Sequence, residues 1–337
     1  MGKLLAGNAP LRGRAGLELV VPTLDYRLAR QFWGIEDLRT AVLTNAIVGG
    51  TPAYRREFVQ DDVPAGPGDF DDWVCRAVLN PARPLFREAR YLLAEEPDMH
   101  HTALYHAVLA AIADGNTTRG GIATYLQRKS TDLAHALGVL QDSGLLSYHR
   151  DAFRKNRSAY RIAEPLLTFY HAIMQPAWGD LERPGRAEPV WRRSKQRFTA
   201  QIVGPHFEEI CRQWARWHAE PETFAGRTPD QVASGTVSDP KVGKTLEVDV
   251  VAVGRDDDRG VLLALGEVKW QEAIDIGHIK RLEHVRDLLV SRGQPGAESA
   301  RLLLFSGAGF SDQVIQRARS DSAIELVGLD RLYAGRE

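Results

Sequence analysis

The chain has 337 residues, about twice the ~150-residue domain prior, so at least two hydrophobic cores are expected. Hydrophobic residues make up 44% and charged residues 26%, proportions that exclude a disordered chain, a collagen-like repeat or a coiled-coil rod. Forty-three Lys and Arg oppose forty-four Asp and Glu, a net charge of −1, so a polyanion would have to be met by a local patch and not by an overall basic surface.

Charge is sorted along the chain: eight basic and three acidic residues lie between Thr117 and Arg161, six acids and no base between Glu57 and Asp72. No apolar run approaches the ~20 residues that cross a bilayer, and MGKLLAGNAPLRGR is too short and too basic for a secretory leader. A cytoplasmic protein without membrane contact is expected. Cys75 and Cys211 are too few for a disulfide framework or a four-thiolate zinc site, and read as buried small hydrophobes.

Residues 1–98 carry a helical pattern around Tyr26–Ile47, a GGTPAY turn at Gly49–Tyr54 and a Pro/Gly/Asp loop over Asp61–Asp72: helical material without an obvious closed core. Residues 99–175 read as three helices and a basic hairpin. HAVLAAIADG, from Tyr105, is a helix ended by Gly115; TTRGGIATYL is a second; TDLAHALGVLQDSG is a third, with Ser130 as its expected cap and Gly144 closing it. GLLSYH and SAYRIAEP are strands joined by the charged turn RDAFRKNR. The arrangement resembles a winged helix-turn-helix, with Ser130–Leu140 in the recognition position. That resemblance implies DNA as a partner, with Arg128, Lys129, Arg154, Lys155 and Arg157 as phosphate contacts. Winged helices also serve as docking or structural modules, and the third helix is not strongly basic. His135 and His149 lack the spacing of a metal pair.

Residues 176–196, with Pro176, Gly179, Pro184, Gly185 and Pro189 among scattered arginines, have the composition of a linker. Residues 197–337 change period. After Gly204 and Pro205, the residues Phe207, Ile210, Trp214 and Trp217 form the stripe of a core-facing helix. Apolar runs of strand length follow at Leu246–Val253, Gly260–Trp270, Ala300–Phe305 and Ala323–Leu329, with a helix over Ile274–Ser291 between the second and third. This order predicts an α/β unit with a mixed sheet and helices on both faces.

Chemistry concentrates on two of these strands. Glu267 and Lys269, two apart, project from one face of the second, and Glu247 and Asp249 share a face of the first. A hairpin through Asp256–Gly260 would set Asp249 beside Glu267. A Glu and a Lys two apart on a strand are ordinarily a solvated face, but VLLALG makes this strand buried on both sides, where charges need partners or a metal. Paired carboxylates suit Mg²⁺ or Mn²⁺, and a neighbouring lysine can stabilise charge on a phosphoryl oxygen. Glu247 reads as a supporting acid.

Asp249 on one strand and GEVKW on the next resemble the PD-(D/E)XK nuclease signature, without its leading proline. Gly204-Pro-His-Phe-Glu208 resembles the G-x-x-FE helix of the Mrr-like branch. The resemblance covers about 197–332 and implies a restriction-endonuclease-like fold, Asp249 and Glu267 as metal ligands, Lys269 as catalytic lysine and Glu208 as auxiliary acid.

Leu11, Gly13 and Arg14, LVVPTLDYRLARQFW and AIVGGTPAY resemble the segment after the nucleotide-binding core in archaeal-type P-loop ATPases of the AAA+/STAND grouping, whose order is core, helical lid, winged helix and nuclease-like domain. On that resemblance 1–98 is a lid remnant, and the phosphate loop would precede residue 1. Gly243-Lys-Thr245 has Ser238 where the first loop glycine belongs and runs into a strand, so ATP is not expected to bind. Arg14 could be a remnant nucleotide sensor, though a structural role fits as well; a separate ATPase-bearing chain, or self-association, would supply the motor. Two functions stay open: a metal-dependent deoxyribonuclease, and a non-catalytic DNA-binding or regulatory module working with an ATPase partner.

Overall fold

The computed structural model describes residues 19, 21–94, 102–154, 156–257 and 259–334; Leu11, Gly13, Arg14 and Lys155 lie outside them. The described chain divides into two compact units, one within Met1–Ser147 and Arg161–Phe198, the other within Tyr148–Tyr160 and Thr199–Glu337. Among the described residues no helix is long and apolar enough to cross a membrane.

The first unit is helical. Asp25 accepts from the Arg27 and Leu28 amides at 2.9 and 2.8 Å and starts α1 (Tyr26–Trp33); Asp37 accepts from the Thr40 amide at 2.7 Å and starts α2 (Leu38–Val48). The single pattern expected over Tyr26–Ile47 is therefore two helices, parted at Gly34, whose φ of 67° closes the first. Further along come α3 (Pro84–Ala94), α4 (Thr102–Ala113), a short helix Arg119–Tyr125 and α5 (Ala134–Asp142). Ser130 is not the side-chain cap of α5. A 3₁₀ turn, Ser130–Leu133, leads in, and the Ser130 carbonyl accepts from Arg119 Nε at 2.8 Å. Strands β1 (Leu146–Arg150) and β2 (Ser158–Ile162) form a two-stranded sheet, as the basic hairpin required.

The segment 176–196 is not a linker. It contains most of α6 (Ala187–Arg197), which buries Val190 and Trp191 in the first unit. The Trp191 ring lies 5.0 Å from Phe198, 6.2 Å from Phe169 and 6.3 Å from Phe70, and its N–H donates to Asp71 at 2.7 Å. Pro184 and Gly185 precede the helix, and Pro189 falls in its first turn, where a missing amide costs no helical hydrogen bond.

The second unit holds a five-stranded sheet in the order β3 (Gln231–Asp239), β4 (Lys244–Asp256), β5 (Arg259–Lys269), β6 (Arg301–Ser306), β7 (Ile324–Gly328). β3, β4 and β5 are antiparallel, whereas β5, β6 and β7 run parallel, the mixed sheet that the strand order predicted. Helix α7 (Gly204–Gln213) packs one face, through Phe207 on Trp270 at 5.0 Å, and the turn after it sets Trp214 on Phe305 at 5.7 Å. The other face is covered by α8 (Ile276–Ser291), whose Ile279, Leu282, Val285 and Leu289 share a core with Leu265, Leu302 and Leu304. Helix α9 (Asp312–Ser320) joins β6 to β7. Asp275 caps α8 by accepting from the Gly277 and His278 amides, and the helix starts at Ile276, two residues later than expected, because Ile274 bridges to Phe310.

β3 is the strand that the apolar runs did not reveal. Its residues QVASGTVSD are small and polar because it is an edge, and its ladder with β4 carries a bulge opposite Ala233–Gly235, with the extra residue on β4 between Val248 and Val251. The hairpin tip covers that bulge: the Ala152 amide donates to the Ser234 carbonyl at 2.9 Å, Thr236 Oγ1 donates to Asp151 at 2.5 Å, and Phe153 lies over Gly235, where a Cβ would approach its ring to 2.7 Å. Gly243, at φ 63°, turns the chain between β3 and β4, and β4 starts at Lys244, so the Gly-Lys-Thr triplet leads into a strand.

Candidate functional site

β5 is buried from Val261 to Val268, and Glu267, only 3% exposed, sits near its end. Gly266 makes the close packing beneath it possible, since a Cβ there would lie 2.9 Å from Val250 and 3.1 Å from Phe305. Burying a carboxylate in such a strand requires compensation. Two cations supply it. Lys269 Nζ lies 2.9 Å from Glu267 Oε1, and Arg281, one residue before the buried Leu282 of α8, contacts Glu267 Oε2. The second Arg281 amino group donates to the Glu247 carbonyl at 2.5 Å, tying α8 to β4 as well.

Asp249 lies one step beyond the Val250–Gly266 pair, hence opposite Glu267, and its Oδ2 accepts from the Val268 amide at 2.8 Å. Desolvation, followed by the charges of Glu208 and Glu267, pushes the Asp249 carboxyl up to about 7. Lys269 is held above its ordinary value because Glu267 and Asp249 outweigh the lowering effect of burial. It is therefore an ammonium at neutral pH, a donor of charge and hydrogen bonds and not a base.

Glu208 stands on α7 beside Arg212, a buried guanidinium. Arg212 Nη1 is 3.5 Å from Glu208 and donates to the Asp249 carbonyl at 2.8 Å, while its Nε donates to Glu209 at 3.0 Å. Its Nη2 is buried without a hydrogen-bond partner among the described residues. Glu208, Asp249, Glu267 and Lys269 thus belong to one electrostatic cluster, but not to a ready ligand set. Among the described residues no group of three or more His, Cys, Asp or Glu side chains is placed to hold a metal ion. Both oxygens of Glu267 face a cation of this chain.

Whether these residues suit a divalent ion turns on Asp249. The hard carboxylate oxygens are of the right chemistry, and Asp249 is short of positive charge, because Lys269 and Arg281 are spent on Glu267. A divalent ion at Asp249 and Glu267 would relieve that deficit, so the donor chemistry fits, provided that Glu267 exchanges a partner.

The basic residues expected at nucleic acid fall into two groups. Arg128 and Lys129 are exposed in the first unit. Arg154 is bonded to Ser238 and Arg157 lies 3.5 Å from Glu247, so both have partners within the second unit. Arg212 and Arg281 were absent from the expected set. The i,i+4 spacing of Glu208 and Arg212 signals their own pairing, but nothing in the sequence marks the reach of Arg212 to Asp249 or of Arg281 to Glu267.

No family model, no curated protein and no solved structure matches the chain.

Proposed function

We propose that the second unit is a metal-dependent nuclease of restriction-endonuclease-like fold, and that the chain binds DNA partly through a winged helix formed by α4, Arg119–Tyr125, α5 and the β1–β2 hairpin. The observation that carries the reading is Glu267: a carboxylate buried on a strand enclosed on both faces, opposite Asp249 and two residues from Lys269. A structural ion pair has no need of a third acid, yet Asp249 is forced up to about 7 by its burial and by the charges of Glu208 and Glu267.

Asp249 and Glu267 would hold Mg²⁺ or Mn²⁺, which when bound supplies Lewis acidity toward a phosphoryl oxygen and makes a water easier to deprotonate. Lys269 offers its ammonium to the charge that grows on the phosphoryl group and orients the attacking water. Arg212 holds Glu208 and the Asp249 backbone in place. ATP has no part in this reading, because Gly243–Thr245 opens a strand and offers no helix N-terminus to phosphates.

The test is incubation of linear, supercoiled and single-stranded DNA with the protein and Mg²⁺ or Mn²⁺. Cleavage should depend on the metal and fall at least ~100-fold in Glu267→Ala and Lys269→Ala. Absence of cleavage on all three substrates would reject the reading.

One observation favours a second reading. Glu267 is fully engaged by Lys269 and Arg281, as in a nuclease fold that has become a non-catalytic DNA-binding module serving an ATPase partner. Salt-dependent DNA binding without cleavage would select it.

A further inference from the structure

Glu267 spends both oxygens on cations of its own chain, and the two cations differ. Lys269 stands on the same strand, two residues away, and remains beside Glu267 whatever else moves. Arg281 reaches in from α8. Its guanidinium bridges Glu267 Oε2 and the Glu247 carbonyl, and its side chain is 34% exposed, so one side of it is open to solvent. A planar guanidinium pairs with phosphate oxygens as readily as with a carboxylate. Around it, Glu247 pairs with Arg157 through its side chain, and His284, one turn on along α8, is taken by Asp239 at 2.6 Å. Arg281 is thus the cation of the cluster with both a replaceable partner and an open approach.

We propose that Arg281 is an internal stand-in for the metal's charge, a counter-ion that holds Glu267 until a phosphate of the nucleic-acid backbone draws the guanidinium away. Glu267 Oε2 is then released to a divalent ion beside Asp249. This deepens the nuclease reading and rests on it: metal and phosphate backbone bind cooperatively, because each removes the partner that the other must displace. Metal without nucleic acid must compete with Arg281 for Glu267 and binds more weakly, and Glu267 stays neutralised between encounters. Arg281 acts through Glu267 and is a positioning residue.

The experiment is a titration of Mn²⁺ followed by electron paramagnetic resonance or calorimetry, on the full chain, with wild type, Arg281→Gln, Arg281→Lys and Glu267→Gln, each with and without a short DNA duplex. In the absence of duplex, Arg281→Gln should bind Mn²⁺ about tenfold more tightly than wild type, the worth of one charge-assisted hydrogen bond. Arg281→Lys, which keeps the charge, should stay near wild type. Duplex should tighten Mn²⁺ binding in wild type and much less in Arg281→Gln. Equal Mn²⁺ affinity in wild type and Arg281→Gln, with binding lost in Glu267→Gln, would overturn the role of Arg281 and leave the metal site standing. No Mn²⁺ binding by any variant would overturn both. Circular dichroism on each variant separates loss of fold from loss of the site.

Discussion

The sharpest consequence of the cluster is that Asp249 destabilises the protein it belongs to. A carboxyl that titrates at 3.8 in the unfolded chain and at about 7 in the folded one binds its proton more tightly when folded. The stabilisation from that proton is complete below pH 3.8 and is lost as pH rises through about 7. At pH 8 the ionised group would cost about 4 kcal/mol if no solvent reached it. Asp249 is partly accessible, so about 2 kcal/mol is the working figure. Asp249→Asn removes the charge and keeps an oxygen to accept from the Val268 amide. In urea unfolding with a chelator present, the variant should be more stable than wild type by about 2 kcal/mol at pH 8, and the difference should shrink toward zero near pH 4. Adding Mn²⁺ at pH 8 should stabilise wild type and leave the variant unchanged. An Asp249→Asn protein that is less stable than wild type at pH 8, or whose difference from wild type ignores pH, would refute the charge deficit.

Three further outcomes follow from the geometry. Trypsin should spare Arg192, Arg193 and Lys195, which a flexible linker would expose, and Trp191→Ala should cost about 3–5 kcal/mol and open that segment to cleavage; mass spectrometry of early fragments gives the answer. Gly266→Ala should lose about 1–3 kcal/mol in urea unfolding, because its methyl group would meet Val250 and Phe305, while Gly260→Ala, with Val253 at 3.4 Å, should lose much less. If Arg128 and Lys129 contact DNA phosphates, removing both side chains should lower the log–log salt slope of DNA binding by about 2, measured by fluorescence anisotropy over a salt series; an unchanged slope would exclude them.

What the sequence disclosed depended on how local the signal was. β4 to β7 announced themselves as apolar runs, and the period of two put Glu267 and Lys269 on one face, where they pair at 2.9 Å. β3 was hidden because an edge strand has no need of an apolar run. Trp217 was expected on the core face with Phe207, Ile210 and Trp214, but is 70% exposed. At Trp214 the helix widens to a π-type turn, Trp214–His218, which sets back the phase and turns Trp217 outward, where Arg216 stacks on it at 4.3 Å. Cys211 is buried as expected, whereas Cys75 is partly exposed. Composition alone makes 176–196 a linker, whereas the positions of Pro184, Gly185 and Pro189, before and within the first turn of α6, are compatible with a helix.

Arg212 and Arg281 escaped the sequence for a different reason, and that reason bears on function. Each lies far along the chain from a group that it serves, Arg212 being 37 residues from Asp249 and Arg281 14 from Glu267, and no periodicity on either helix distinguishes a cation facing a buried acid from one facing water. Yet their placement decides the sign of the site. Arg212 is committed to Glu208, Glu209 and the backbone of Asp249; Lys269 and Arg281 are committed to Glu267. The Asp249 carboxylate, with two acids for neighbours, is left with the Val268 amide and a distant share of Lys269. A cluster serving stability alone would gain from a neutral side chain at 249, since neutralising a poorly compensated buried charge is stabilising. A cluster serving catalysis needs an acid there that costs stability in the free protein and recovers it when an external cation arrives. The two alternatives differ in one measurable quantity, the stability of Asp249→Asn relative to wild type with and without Mn²⁺. Only the catalytic cluster predicts that the metal reverses the order.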